Sequence, residues 1–120
     1  MAISLGRLII YTKKLPQMAK FYCRYFGFDE IQKDGDRIVE LRPQSDGFSI
    51  LLHAASKGQK EGQSLVKLVF DVEDVPSFCK AAGDLGLQFG PVHQADGYCF
   101  ANTTDPSNNK VSVSSRAFTV

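Results

Sequence analysis

Residues 7–16 read RLIIYTKKLP, and residues 67–76, sixty positions later, read KLVFDVEDVP. Both stretches run in the same order: a cation, an apolar run, a charged pair, an aliphatic residue and a proline. An internal repeat of this period indicates a chain built from two copies of one structural unit. Chance similarity between two strand–helix pairs is the alternative, and the matched prolines argue against it.

The first unit is predicted to contain a strand, a helix and three more strands. Aliphatic residues predict a strand at 7–12, and Pro16 suits the first turn of a helix, where a missing N–H costs nothing. Apolar side chains recur every three or four positions from Met18, and Gly27 is expected to end that helix. Turn residues then separate three strand candidates, at about 28–33, 36–43 and 47–53.

The second unit repeats this order of elements. A strand is predicted at 66–72, and a helix is expected to begin near Pro76 and to end at Gly86. Three strand candidates follow, at about 87–93, 96–103 and 109–115.

The expected fold class follows from burial. Residues 55–64 have no apolar side chain after the first, so they are expected to form a solvated connector between modules 1–54 and 65–120. A module of this size would bury only about 60% of its extended-chain surface and is marginal alone. We therefore expect one α+β domain over residues 1–120, in which two βαβββ modules in tandem form mixed sheets that curve around a shared cleft.

Composition excludes several classes of function. Fourteen Lys and Arg against thirteen Asp and Glu leave a formal charge of +1, which predicts no nucleic-acid or membrane partner. The longest apolar run, residues 8–11, is too short to span a membrane, and Arg7 interrupts any signal-peptide pattern. Cys23, Cys79 and Cys99 lack a paired spacing, which is typical of small core residues in a reducing cytoplasm.

Strand alternation predicts which side chains line the cleft. Successive side chains point to opposite faces, so one set is expected on the face away from the helix. That set includes Arg7, Tyr11, Lys67, Asp71 and Ser112. The fourth strand is ambiguous because residues 50–52 are all apolar, and His53 would share a face with Leu51.

Two further segments carry a family resemblance. Residues 18–28, MAKFYCRYFGF, resemble the first-helix segment of the vicinal oxygen chelate superfamily, which contains glyoxalase I, extradiol dioxygenases, and fosfomycin- and bleomycin-resistance proteins. Residues 104–109, TDPSNN, resemble that family's turn before the last strand, with Asn108 where glycine is usual. The resemblance implies the glyoxalase/bleomycin-resistance-like fold and a homodimer, with modules that pair within one chain or exchange between two.

The resemblance also implies where a metal would bind. In the family, up to four side chains, one each from strands one, four, five and eight, hold a divalent ion. The matching positions here are Arg7, Leu51, Lys67 and Ser112. Arginine and leucine offer no lone pair and lysine would have to lose its proton, so no metal cofactor is predicted. A displaced site built from other residues stays open as an alternative; its members would be Glu40, His53, Asp71 and His93.

The cleft residues that remain have two interpretations each. Arg7 and Lys67 could converge on a carboxylate or phosphate, or they could be ordinary exposed cations paired with acidic neighbours. His53 and His93 could act as general acid or base, or they could be half-exposed residues at strand ends. Tyr11 could stack on a planar ligand or serve packing.

The sequence therefore predicts a metal-free binding protein for a small molecule, anionic in one interpretation, with no catalytic residue assigned. The expected ligand-binding residues are Arg7, Tyr11, His53, Lys67, Asp71, His93 and Ser112. A glyoxalase-like or other lyase or isomerase enzyme is the alternative, through the displaced metal site or through His and Asp acid–base chemistry. A third hypothesis is a fold retained as a dimerisation module.

Overall fold

The computed structural model describes residues 2–119, and the chain divides into two compact units, the first ending at Glu61 and the second beginning at Gly62. The first unit contains β1 (Arg7–Thr12), α1 (Leu15–Phe26), β2 (Phe28–Ile31), β3 (Ile38–Pro43) and β4 (Ser49–Ala54). The second contains β5 (Lys67–Asp71), α2 (Val75–Asp84), β6 (His93–Gln94), β7 (Cys99–Thr104) and β8 (Lys110–Ser114), followed by a 3₁₀ turn at Arg116–Phe118. The unit boundary falls inside the predicted connector.

Both units have the same sheet topology. The strand order is β1-β4-β3-β2 in the first and β5-β8-β7-β6 in the second. The first and last strands of each unit run parallel, and the other neighbours are antiparallel. Two mixed four-stranded sheets with one helix each confirm the predicted α+β class with tandem βαβββ modules.

The core of the first unit lies between α1 and its sheet. Pro16 occupies the first turn of α1, and Gly27 ends the helix with φ 70°, donating its N–H to the Tyr22 carbonyl. Met18 and Tyr22 are fully buried on the face of α1 that packs against β2, β3 and β4. The opposing strand residues Leu41, Ile50 and Leu52 are also fully buried.

In the second unit α2 begins with a side-chain cap. The Asp74 carboxylate accepts hydrogen bonds from the Ser77 N–H at 3.1 Å and the Ser77 hydroxyl at 2.9 Å. The helix packs against β7, and Val111 and Val113 of β8 are fully buried. Helix α2 ends at Asp84 with Leu85 as its C-cap, and Gly86, the glycine expected to stop it, follows with φ 104°.

The strand predicted at 87–93 is wrong over most of its length, because only His93–Gln94 form one. Leu87 and Phe89 do alternate inward. However, Pro91 has no N–H to donate, and the Gln88 carbonyl accepts from the Thr103 hydroxyl at 3.0 Å instead of from a backbone donor. The segment therefore has the side-chain pattern of a strand but only a fragment of its backbone pairing, the Gly90 N–H donating to the Asn102 carbonyl.

Burial confirms most of the predicted alternation. In β1, Thr12 is fully buried and Tyr11 is 48% exposed. In β4, Ile50 and Leu52 point inward, which places Leu51 and His53 on the opposite face. Ser112 differs: it is only 3% exposed, although its strand parity puts it on the side away from α2. It lies on an interior strand between Val69 and Asn102, whose longer side chains flank it.

No helix within residues 2–119 is long and apolar enough to cross a lipid bilayer.

Candidate functional site

Each sheet has a face away from its helix, which we call the open face of that unit. On the first open face the residues of β1 and β4 stand directly opposite one another in parallel register. This face carries Arg7, Ile9 and Tyr11 of β1, Ser49, Leu51 and His53 of β4, and Ile38, Glu40 and Arg42 of β3.

One end of the first open face is aromatic. Tyr11 and His53 are register partners, and their ring centroids lie 5.3 Å apart at an interplanar angle of 59°. The Nδ1 atom of His53 lies 3.0 Å from the Ala54 carbonyl oxygen, which only accepts, so Nδ1 carries the proton. In the neutral ring Nε2 is then the free acceptor. The structure thus brings two of the predicted ligand-binding residues together as a small aromatic surface.

The other end of this face is charged. Arg42 Nε donates to Glu40 Oε2 at 2.5 Å. That hydrogen bond, followed by the charges of Arg42, Arg7 and Lys33, lowers the pKa of the Glu40 carboxyl. Arg7 therefore acts electrostatically on Glu40, although Arg7 itself forms no ion pair within residues 2–119.

The second open face repeats the arrangement of the first. Val69 of β5 stands beside Ser112 of β8, which stands beside Asn102 of β7. The face carries Lys67, Val69 and Asp71 of β5, Lys110, Ser112 and Ser114 of β8, Phe100, Asn102 and Thr104 of β7, and His93 of β6.

A cavity of about 510 Å³ lies at one end of the second open face. Its lining residues are Lys67, Gln88, Gly90, Asn102, Thr103, Thr104 and Lys110. Lys67 Nζ donates to Asn102 Oδ1 at 3.0 Å. Within the described part of the chain, the only charged residues in this lining are the two lysines, and it contains no carboxylate. Such a lining attracts anions.

The sequence missed Lys110 and Asn102 as site residues. Strand parity places both on this face, but only the register of β5 with β8 shows that Lys110 stands directly opposite Lys67. A like-charged pair formed by two strands that are distant in the chain cannot be predicted from the sequence of either strand alone.

The far end of the second open face is aromatic. The rings of His93 and Phe100 lie 5.1 Å apart at 31°, and Phe100 is also 6.4 Å from Tyr98. Asp71 lies at the same level, but on the opposite edge strand of the sheet. Three strand spacings place it about 14 Å from His93, so these two predicted site residues do not form a hydrogen-bonded acid–base pair.

The positions where the resemblance implies a metal do not suit one. Arg7 and Lys67 are exposed cations, and Leu51 has no donor atom. Ser112 is buried, and its hydroxyl donates to the Ala101 carbonyl at 3.0 Å. The described part of the chain also brings together no group of three or more His, Cys, Asp or Glu that could hold an ion, the displaced set of Glu40, His53, Asp71 and His93 included.

Two of the three thiols, Cys23 and Cys79, lie in surroundings that disfavour the thiolate. Burial raises the pKa of Cys23, and the carboxylates of Glu30 and Asp29 raise it further. Burial likewise raises the pKa of Cys79. Because the thiolate is the reactive form, both shifts lower the nucleophilicity of these residues at neutral pH.

The model of the Glyoxalase/Bleomycin resistance protein/Dioxygenase superfamily matches residues 4–113. No curated protein sequence matches significantly.

Solved structures share the fold at low identity. The antibiotic binding protein TnmS3 from Streptomyces sp. CB03234 has a TM-score of 0.77 at 19% identity, over 94% of this chain and 96% of that one. A superfamily member from Sphaerobacter thermophilus DSM 20745 has a TM-score of 0.74 at 17% identity, over 94% and 97%. A lactoylglutathione lyase from Agrobacterium tumefaciens has a TM-score of 0.73 at 16% identity, over 98% and 97%. The family model covers nearly the whole chain, and this protein belongs to the Glyoxalase/Bleomycin resistance protein/Dioxygenase superfamily.

Proposed function

We propose that this protein binds a small anionic molecule against its open sheet faces and does so without a divalent metal. The observation that carries the proposal is the cavity beside Lys67, whose lining within residues 2–119 contains two lysines and no carboxylate. A cavity of about 510 Å³ lies within the size range of small-molecule sites, and ammonium groups bind carboxylates and phosphates through charge-assisted hydrogen bonds.

The chemistry of the four family metal positions supports a metal-free site. A divalent ion beside Arg7 or Lys67 would be repelled by a like charge, and neither side chain offers a lone pair while protonated. The antibiotic binding protein among the structural relatives is a precedent for a binding role on this fold. The lactoylglutathione lyase is a precedent for the enzymatic alternative.

Metal analysis separates the binding protein from a metal-dependent lyase. We expect elemental mass spectrometry of the protein, purified without chelators, to find nickel, zinc, iron and manganese well below one ion per chain. A transition metal at one equivalent that survives dialysis would overturn the proposal and favour the enzyme.

A thermal-shift screen against carboxylate and phosphate metabolites tests the ligand class. Ligands that raise the Tm of the wild-type protein are expected to lose that effect in Lys67→Ala, and in Arg7→Ala where the ligand spans the first open face. Lys20→Ala is the matched control, because Lys20 is an exposed cation on α1 and lies on neither open face. Shifts that persist unchanged in all three variants would refute an anionic ligand at these residues.

We also propose a homodimer located in the cytoplasm. Each unit exposes two aliphatic side chains just before its first strand, apolar surface that a partner chain could cover; they are Ile3 at 88% and Leu5 at 72% in the first unit, and Leu65 at 98% and Val66 at 59% in the second. Light scattering during gel filtration should give twice the chain mass of 13.2 kDa, and a monomer mass would contradict the dimer.

The three free cysteines support the proposed location, because free thiols are typical of a reducing compartment.

A further inference from the structure

Two lysines stand directly opposite each other on the second open face. Lys67 begins β5 and Lys110 begins β8, and the parallel register makes them Cα partners. Neighbouring strands are about 4.8 Å apart, so both ammonium groups branch from adjacent backbone positions on one side of the sheet. Like charges so placed repel each other and destabilise the sheet unless a counter-charge is present.

The carboxylate nearest to Lys110 in sequence, Asp105, accepts hydrogen bonds within its own turn instead, from the Ser107 and Asn109 N–H groups and from Asn109 Nδ2. Neither lysine forms an ion pair within residues 2–119, and Lys67 Nζ is hydrogen-bonded to the neutral Asn102 carboxamide instead. Asp71, on the same face of β5, is four residues further along the strand, about 13 Å away at the backbone. The positive charge of the pair is therefore left for a group from outside the chain.

The surroundings of the pair can bind oxygen atoms. The cavity beside the two lysines is otherwise lined by amides and hydroxyls. Because Asn102 Oδ1 accepts from Lys67 Nζ at 3.0 Å, the Nδ2 hydrogens are the remaining donor end of that side chain. Gly90, which has no side chain to fill the cavity, is held to β7 by its N–H donating to the Asn102 carbonyl at 2.8 Å.

We propose that the Lys67–Lys110 pair binds the phosphate group of a phosphorylated small molecule, with Asn102 as a third donor. This inference rests on the proposed function and specifies the chemical class of the ligand. A phosphate monoester carries close to two negative charges at neutral pH, which matches two ammonium groups. One carboxylate would leave one lysine uncompensated.

Inorganic phosphate is the probe for this site. At matched ionic strength, millimolar phosphate should raise the Tm of the wild-type protein, whereas acetate should not. In Lys67→Gln and in Lys110→Gln the apparent Kd for phosphate should rise about tenfold, the effect expected from losing one hydrogen bond to a charged group. Lys80→Gln is the matched control and should respond as the wild type does, since Lys80 is exposed on α2 and does not line the cavity.

A second measurement shows that the variants fold. In phosphate-free buffer of low ionic strength, Lys110→Gln should have a higher Tm than the wild-type protein, because the repulsion with Lys67 is removed. Sodium chloride should shrink that difference through screening.

Two results would overturn the inference. One is an unchanged phosphate affinity in Lys110→Gln; the other is acetate stabilising the wild-type protein as much as phosphate does. If either occurs while other anions still require Lys67, the proposed function stands and only the phosphate assignment fails. A stoichiometric metal would instead remove the proposed function itself.

Discussion

Asn108 adopts a backbone conformation that L-residues rarely tolerate. Its φ is 65° in the turn between β7 and β8, at the position where the family resemblance expects glycine. Asparagine and glycine accept this left-handed region, whereas other residues pay about 1–2 kcal/mol there. We expect Asn108→Ala to lower the free energy of unfolding by about that amount and Asn108→Gly to leave it nearly unchanged. Urea denaturation measures both, and equal losses in the two variants would contradict the conformational explanation.

Gly62 lies against the same turn. Its φ is 76°, and a Cβ built there would stand 2.8 Å from the Asn108 Cβ and 3.2 Å from the Asn108 carbonyl oxygen. Gly62→Ala should therefore destabilise the protein by at least about 1–2 kcal/mol. Gly58→Ala is the matched control from the same connector, since a Cβ there meets no atom within 4 Å. A Gly58→Ala variant that loses as much stability as Gly62→Ala would rule out the close contact as the cause.

Asp105 organises that turn from a nearly buried position. It is 3% exposed, and Oδ1 accepts from the N–H groups of Ser107 and Asn109, each at 2.9 Å. Oδ2 accepts from Asn109 Nδ2 at 2.9 Å. Asp105→Ala leaves these donors without their partner and should cost about 1.5–3 kcal/mol of stability in chemical denaturation. Asp36→Ala is the control: Asp36 also accepts from a backbone N–H two residues ahead, but in an exposed turn, so its loss should be much smaller.

At the residue scale, the sequence predicted the face of the sheet on which a side chain lies better than it predicted that side chain's cross-strand partner. The alternation of β1 put Tyr11 on the open face, whereas that of β4 was ambiguous; the burial of Ile50 and Leu52 places His53 on the same face, and its contact with Tyr11 follows from register. Strand alternation also placed Ser112 on the open face, yet burial by neighbouring strands depends on side-chain lengths at positions far away in the chain. Lys110 was missed for the same reason, because cross-strand partners are set by the register.

At the scale of elements, α1 and α2 begin differently although their sequences correspond. Asp74 caps α2 through its carboxylate, whereas Lys14, sixty positions earlier, makes no side-chain cap of α1. We expect Lys14→Asp to stabilise the protein by about 1 kcal/mol by supplying an acceptor for the Gln17 N–H. Lys14→Ala, which removes the charge without adding an acceptor, is the matched control. If both variants stabilise equally, relief of charge rather than capping is the cause.

The cap of α2 also predicts a pH dependence. The hydrogen bonds from the Ser77 N–H and hydroxyl lower the pKa of Asp74. The carboxylate's contribution to stability is thus fully present above the pKa of the unfolded chain and is lost as the pH falls through the lowered folded value. Asp74→Ala should therefore lower Tm at neutral pH and do so progressively less as the pH falls toward 3 and below. Asp74→Asn, which caps without titrating, should keep most of the neutral-pH Tm; a Tm difference for Asp74→Ala that does not vary with pH would contradict the titration.

Most of the helices and strands were predicted from the sequence, and the segment ahead of β6 is the exception. Helix α1 follows from Pro16, the apolar spacing and Gly27, all of which act locally. The segment ahead of β6 has the inward alternation of Leu87 and Phe89 but forms no strand there, because Pro91 and the Thr103 hydroxyl interrupt its backbone pairing with β7. The local sequence pattern predicts which side chains are buried. Whether the backbone forms a strand depends on the hydrogen-bonding groups of the neighbouring strand.

At the scale of the whole molecule, the two units present the same polarity on their open faces. In the first, Arg7 begins β1 and Tyr11 stands four residues further on beside His53. In the second, Lys67 begins β5, and the His93–Phe100 pair lies toward the other end of that sheet. Four strand residues span about 13 Å, so each face suits a ligand with an anionic group at one end and a flat apolar body at the other.

An amphipathic dye tests this polarity. Anilinonaphthalene sulfonate carries an anionic group on an aromatic body, and phenylnaphthylamine has the body alone, so the sulfonate should bind about tenfold more tightly, the gain from one charge-assisted contact. On the first open face, Arg7→Gln should weaken only the sulfonate, whereas Tyr11→Leu should weaken both dyes, because it shortens the aromatic surface without changing charge. Fluorescence titration measures the affinities of both dyes for the wild-type protein and for each variant. Each variant must keep a cooperative thermal transition, since the sulfonate also binds loosely packed states. Equal affinity for the two dyes would mean that the cations do not contact the ligand, and the sheet faces would then be apolar surfaces alone.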